Sequence, residues 1–136
     1  MNKEFIPYKQ ALALKELGFD GECLAIYYKD DNPKELLFSI EEKYSSNPKV
    51  AKHQARNAIR NINFEKGWAI KVPLYQQAFR WFREKHGLHS YIEGAYPWFR
   101  FYINSEDNRW EGHKYLLYKK AELACLKKLI EIIKTK

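Results

Sequence analysis

The spacing of apolar and polar residues switches several times between a helical period of about 3.6 residues and a strand period of two. Helical spacing predicts helices at residues 7–17, 47–61, 75–86 and 119–134. Strand spacing predicts strands at residues 23–28, 36–40, 68–72, 89–93, 98–103 and 110–117. The pattern therefore predicts one compact α+β domain over residues 1–136. It is mainly an antiparallel sheet with helices packed on it, and its C-terminal half runs α-β-β-β-α.

The alternation of side chains is strongest in the predicted strand at 98–103. It places two sets of three residues on opposite faces, Phe99, Phe101 and Ile103 on one and Trp98, Arg100 and Tyr102 on the other. The apolar set is expected in the core. The mixed set could stack nucleic-acid bases on an open sheet, anchor a protein partner, or lie beneath a helix. Arg80 and Arg83, which flank two aromatic residues, join it as candidate partner-binding or nucleic-acid-binding residues.

Basic residues spaced three or four apart share one face of the predicted helix at 47–61. This basic face consists of Lys49, Lys52, His53, Arg56 and Arg60. No acidic residue lies between Lys43 and Phe64, so the like charges repel one another along the helix. A partner carrying phosphates or carboxylates would relieve that repulsion. The alternatives are a solvated face and a face neutralised by acids from the N-terminal third.

Charge and aromatic content both favour a binding surface. The chain carries a formal net charge of +7, and 16% of its residues are aromatic, which exceeds what a core of this size needs. The net charge is −2 over residues 1–50 and +9 over residues 51–136. This asymmetry indicates an acidic partner for the second part, with solubility as the alternative explanation.

Arrangements that carry catalysis are absent from the sequence. There is no Gly-rich phosphate loop, nucleophile elbow or HExxH motif, and the acids do not form a convincing pair. His86, His89 and His113 could in principle bind zinc, but the first two straddle a glycine, which favours ordinary surface histidines. We therefore expect a protein that is not an enzyme and needs no cofactor or metal.

Cys23 and Cys125 lie in apolar runs and form no CxxC motif, which is typical of buried thiols in a reducing compartment. The N-terminal residues resemble neither a signal peptide nor a transit peptide, and no apolar run reaches membrane-spanning length. We expect a cytoplasmic protein that does not bind membranes.

The predicted order of helix, three strands and helix from Tyr75 onward resembles that of double-stranded RNA-binding domains. That family opens its last helix with a basic stretch that contacts the RNA backbone. Lys119-Lys120-Ala121-Glu122 occupies this place here, and Glu122 departs from the family pattern by placing an acid where a lysine is expected.

Three further stretches resemble a family of small uncharacterised proteins from phages and prophages of Bacteroides-like bacteria. They are FIPYKQALALKELGF at 5–19, YQQAFRWFREKHGL at 75–88 and AELACLKKLIEII at 121–133. Residues 33–71 depart from the family pattern. The resemblance implies no functional residues, but it implies a context, since small phage proteins often act on host machinery.

Origin, charge and aromatic content together lead to two expected functions. The first is a phage-borne inhibitor, acting in the host cytoplasm, that binds a host protein or ribonucleoprotein of a defence complex. It would resemble an anti-CRISPR protein that contacts an RNA-guided nuclease through its basic surface. The second is an accessory protein that binds RNA or DNA directly.

Overall fold

The structure is a computed structural model that describes residues 4–23, 25–28, 36–38 and 69–136. The predicted basic helix at 47–61 lies outside the described residues, and with it the candidate residues Lys49, Lys52, His53, Arg56 and Arg60. The chain divides into two compact units, residues 7–74 and residues 3–6 with 75–136. The predicted α+β class is confirmed. The assignment of residues 1–136 to one domain stays a prediction.

In its described residues, the N-terminal unit combines helix α1 with a three-stranded antiparallel sheet in the order β2-β1-β3. Its elements are α1 (Tyr8–Glu16), β1 (Ala25–Tyr28), β2 (Leu36–Phe38) and β3 (Ala69–Val72). Helix α1 ends in a Schellman motif. The N–H of Phe19 donates to the Leu14 carbonyl at 2.9 Å, and the N–H of Gly18 donates to the Lys15 carbonyl at 3.1 Å. Gly18 has a φ of 96°, a conformation that few other residues adopt at low cost.

The C-terminal unit contains the predicted α-β-β-β-α order. Its elements are α2 (Tyr75–His86), β4 (His89–Ala95), β5 (Trp98–Asn104), β6 (Arg109–Glu111) and α3 (Tyr118–Lys134). The strands form an antiparallel sheet in the order β4-β5-β6. Within the described part of the chain, no helix combines the length and the apolar character needed to cross a membrane.

One face of this sheet packs against α3. Phe101 and Ile103 on β5 are buried, as the alternation predicts. Phe99, which was expected in the core with them, is only half-buried, because its ring meets that of the exposed Tyr118 edge to face at 5.7 Å near the end of the sheet. Helix α3 contributes a broad buried stripe made of Ala121, Cys125, Leu126, Leu129, Ile130 and Ile132. This face of the sheet therefore belongs to the core of the unit.

The third strand of this sheet is shorter than predicted. The sequence predicts strand structure at 110–117, but β6 ends at Glu111. Pairing with β5 resumes only as an isolated bridge, in which the N–H groups of Phe99 and Tyr115 donate to each other's carbonyls at 2.7 and 2.8 Å. The prediction was wrong because alternation alone cannot reveal an interruption in strand register.

Candidate functional site

The sheet face opposite α3, here called the outer face, carries mostly aromatic and charged residues. Strand register places directly paired residues on the same side of a sheet. The outer face includes Tyr91, Glu93, Trp98, Arg100, Tyr102, Arg109 and Glu111, with His89, Asn104 and Ala95 at its ends. Tyr91 is 48% exposed, and Glu93, Arg109 and Glu111 are also exposed. The exposed side chains of the outer face therefore lie on the two edge strands, whereas Trp98 and Arg100 on the central strand are half-buried.

Two tyrosines and an arginine form a stack at one end of the outer face. The ring of Tyr91 lies on that of Tyr102 with centroids 5.1 Å apart and an interplanar angle of 22°. The guanidinium carbon of Arg109 lies 4.8 Å from the Tyr102 centroid. Tyr102 is consequently only 7% exposed. Tyr102 therefore lies beneath the other two side chains, whereas Tyr91 and Arg109 are exposed to solvent.

Trp98 forms a second cluster with two cations. The Arg100 guanidinium carbon lies 5.5 Å from the indole centroid, and the Lys114 Nζ lies 4.7 Å from it. Both distances fall within the range of cation–π attraction, worth roughly 0.5–1 kcal/mol at exposed sites. Trp98 and Arg100 are half-buried, and the Nε of Arg100 has no hydrogen-bond partner among the described residues.

Lys114 reaches this face through a β-bulge. The N–H of Gly112 donates to the Phe101 carbonyl at 2.9 Å, and the next pairing joins Phe99 to Tyr115. Two residues, His113 and Lys114, thus lie opposite the single residue that separates Phe101 from Phe99. An extra residue of this kind redirects the side chains that follow it.

The outer face also carries two carboxylates. Glu93 lies directly opposite Arg100, yet no ion pair within 4.0 Å joins the two in the described part of the chain, since Arg100 lies over Trp98 instead. Glu111 lies opposite Tyr102 on the other edge strand. The face is therefore basic overall but includes groups that accept hydrogen bonds.

The structure brings together three of the predicted candidates, Trp98, Arg100 and Tyr102. Arg80 and Arg83 are exposed on α2, and no described contact joins either to the outer face. The Nε of Arg80 donates to the Glu84 carboxylate at 2.8 Å. This hydrogen bond and the charge of Arg80 lower the pKa of Glu84.

Sequence reasoning did not select Tyr91, Arg109 or Lys114 as site residues. Tyr91 could have been found, because alternation in the strand at 89–93 gives it a face and the tight β4–β5 turn pairs it with Tyr102. Lys114 could not, since its position depends on the bulge.

At the opening of α3, where the resemblance to double-stranded RNA-binding domains implies an RNA contact, Lys119 is already paired with two carboxylates. The Nζ of Lys119 lies 3.0 Å from the Glu122 carboxylate and 3.3 Å from that of Glu4. Burial alone would lower the pKa of Lys119, but these two carboxylates outweigh it and raise the pKa. Glu122 itself is buried. The charge of Lys119 is therefore already neutralised within the protein.

The histidines and cysteines form no cluster with metal-binding geometry among the described residues. His86 packs against the Trp81 and Phe82 rings at 4.9 and 6.0 Å, and burial lowers its pKa, with a smaller contribution from Lys136. Cys23 and Cys125 are buried free thiols, and burial raises the pKa of each to about 12.

A cleft of about 520 Å³ lies where the C-terminal ends of α2 and α3 meet the β5–β6 loop. Its lining includes cations, Lys128 and Lys136, and acids, Glu106, Asp107 and Glu131. Lys128 already pairs with Glu131 at 3.4 Å. This mixture favours no single class of ligand.

No protein-family model, curated protein or solved structure matches this chain. The phage origin therefore stays a prediction, and a function can be proposed only from the chain's own residues.

Proposed function

We propose that this protein binds single-stranded nucleic acid through the outer face. The observation that supports this function best is that three cationic side chains, of which Arg109 and Lys114 are exposed, lie over aromatic rings on one face of the sheet. Aromatic rings stack the exposed bases of single strands, and neighbouring cations contact the backbone phosphates.

The cation–π contacts keep the cations next to the rings on which a base would stack. A base that stacks on Trp98 would displace Lys114 or Arg100 from the ring, and the released cation would find a phosphate. Base stacking on an aromatic side chain contributes about 1–3 kcal/mol, more than the roughly 0.5–1 kcal/mol of an exposed cation–π contact. The exchange therefore favours binding even before the phosphate contact is counted.

A single strand fits the outer face better than a duplex does. Bases in a duplex are stacked on one another and hide their faces, whereas those of single strands can be splayed onto a sheet. Trp98 and Tyr102 lie four residues apart on β5, which separates the two clusters by about 13 Å. One strand can therefore contact both clusters along β5.

The test uses fluorescence anisotropy with labelled mixed-sequence RNA and DNA dodecamers. The site variant is Arg109→Gln with Lys114→Gln, which removes two cations and leaves the rings. The control is Lys85→Gln with Lys127→Gln, which changes the net charge equally at exposed helix positions. Each lost phosphate contact lessens the salt slope by about 0.7 for single strands. We expect a slope less steep by about 1.4 in the site variant, with at least about tenfold weaker binding.

The control variant should keep most of the affinity and the salt slope. Equal weakening by both variants would show that binding depends on net charge and not on the outer face. Absence of binding to any dodecamer at low salt would contradict the proposed function itself.

Inhibition of a host defence complex is the second candidate function, and exposed apolar side chains favour it. Tyr96 in the β4–β5 turn is fully exposed, and Leu116 and Leu117 are 76% and 58% exposed. Tyr96 and Leu116 lie at the same end of the sheet, because Phe99 pairs with Tyr115. Exposed apolar groups of this kind mark protein contacts. A host protein that is retained after RNase treatment, and lost on Tyr96→Ser with Leu116→Ser, would support this function.

A further inference from the structure

Glu93 is a negatively charged residue on an outer face whose neighbouring charges are mostly positive. It lies opposite Arg100, but Arg100 contacts Trp98, and no ion pair holds the exposed Glu93 carboxylate in the described part of the chain. A carboxylate repels the phosphates that the neighbouring cations would attract. If this face binds a nucleic acid, Glu93 must therefore interact with a group other than a phosphate.

Glu93 lies between the two rings that a base can reach. On β4 it is two residues from Tyr91, about 7 Å along the strand. Across the sheet it is diagonal to Trp98, about 7–8 Å away between Cα atoms, because Trp98 precedes its partner Arg100 by two residues. The carboxylate is therefore within side-chain reach of the edge of a base stacked on either ring.

Carboxylates distinguish bases by the groups on their edges. An ionised carboxylate only accepts hydrogen bonds, and cytosine, adenine and guanine each have an exocyclic amino group that donates them. The corresponding group of uracil or thymine is the O4 carbonyl, which a carboxylate repels, and the donor that remains on that edge is a single N3–H between two carbonyl oxygens. Glu111 is less suited to this role, because it lies opposite Tyr102, whose ring is already covered.

We infer that Glu93 makes the outer face selective for bases with an exocyclic amino group over uracil and thymine. This inference rests on the proposed binding of single strands. In it, Trp98 and Tyr91 supply stacking, Arg109 and Lys114 supply phosphate contacts, and Glu93 determines which bases are accepted.

The test compares dodecamers of cytidine and uridine, which are both pyrimidines and differ in the amino and carbonyl groups that Glu93 would meet. Deoxycytidine and deoxyuridine dodecamers show whether the ribose contributes. Wild-type protein should bind the cytidine strand at least about fivefold more tightly. Glu93→Gln should bring this ratio near unity, mainly by tightening uridine binding. Glu106→Gln, an equal charge change on the exposed β5–β6 loop, should leave the ratio unchanged.

Three results contradict the inference in distinguishable ways. Equal wild-type affinity for cytidine and uridine strands overturns the selectivity while leaving single-strand binding intact. A cytidine preference that persists in Glu93→Gln shows that another group makes the selection. No binding to any of the four strands means that the proposed function has failed.

Discussion

The contact between Gly112 and Phe101 is expected to control the stability of the C-terminal unit. A Cβ added at Gly112 would overlap ring atoms Cδ1 and Cε1 of Phe101. The overlap is difficult to relieve, because the Phe101 ring is buried and the Gly112 N–H is held by the Phe101 carbonyl. Gly112→Ala should therefore destabilise the protein.

The magnitude follows from two opposing effects. Inserting a methyl group into a packed core costs about 1–3 kcal/mol. Replacing glycine by alanine in extended structure gains about 0.5–1 kcal/mol, since the unfolded chain loses conformational freedom. We expect a net loss of about 0.5–2 kcal/mol in the free energy of unfolding. In a Phe101→Val background, which lacks the ring, the same Gly112→Ala change should be neutral or stabilising.

Urea denaturation followed by tryptophan fluorescence measures this double-mutant cycle, since three of the four tryptophans belong to the C-terminal unit. Gly94→Ala is the matched control in the same sheet. A Cβ there would lie 3.1 Å from the half-buried Phe99 ring, which can yield, so the change should stay within about 0.5 kcal/mol.

The reversal of sign between the two backgrounds is the decisive result. If Gly112→Ala costs the same free energy with and without the Phe101 ring, the cost does not arise from this contact. The close approach of the Phe101 ring to Gly112 would then not be the cause of the destabilisation.

Two further predictions concern titrating groups. Burial lowers the pKa of His86 below its ordinary value of 6.5, so stability is present above that value and lost as pH falls through the lowered pKa. Melting temperatures between about pH 7.5 and 5 should fall less for His86→Gln, and an unchanged pH dependence would contradict this. Because burial raises the pKa of both thiols to about 12, Cys23 and Cys125 should react with a disulfide reagent only after unfolding. Stoichiometric labelling of the native protein near neutral pH would show accessible thiols instead.

Local chemistry allowed much of the C-terminal unit to be predicted. Helix α2 has the predicted bounds, because its periodicity ends at Gly87, whose φ of 64° suits a helix terminus. Strand β5 extends only one residue beyond its prediction, because alternating aromatic residues specify it strongly. The third strand could not be predicted. Its interruption coincides with a close approach of the Phe101 ring to Gly112 on the neighbouring strand, a tertiary contact that alternation does not reveal.

In the candidate site, too, alternation along one strand could be predicted from the sequence, whereas some contacts between strands could not. Alternation placed Trp98, Arg100 and Tyr102 on one face, as the structure does. With the tight β4–β5 turn, alternation could also have paired Tyr91 with Tyr102, but it could not show that Arg109 would cover the same ring, because the register of β6 is not set by a tight turn. Tyr102 was expected to contact a partner, but in the structure its ring lies beneath that of Tyr91.

The bulge connects the buried side of the sheet to the outer face. Gly112 meets the core at Phe101, and two residues later Lys114 lies over Trp98. If Gly112 must move to accommodate a methyl group, the bulge and the lysine that follows it must move as well. Gly112→Ala should therefore weaken nucleic-acid binding, although the added methyl group meets the buried Phe101 ring on the other side of the sheet. In the Phe101→Val background, Gly112→Ala should leave stability and binding no lower than in Phe101→Val alone, which separates an effect through the bulge from general loss of folded protein.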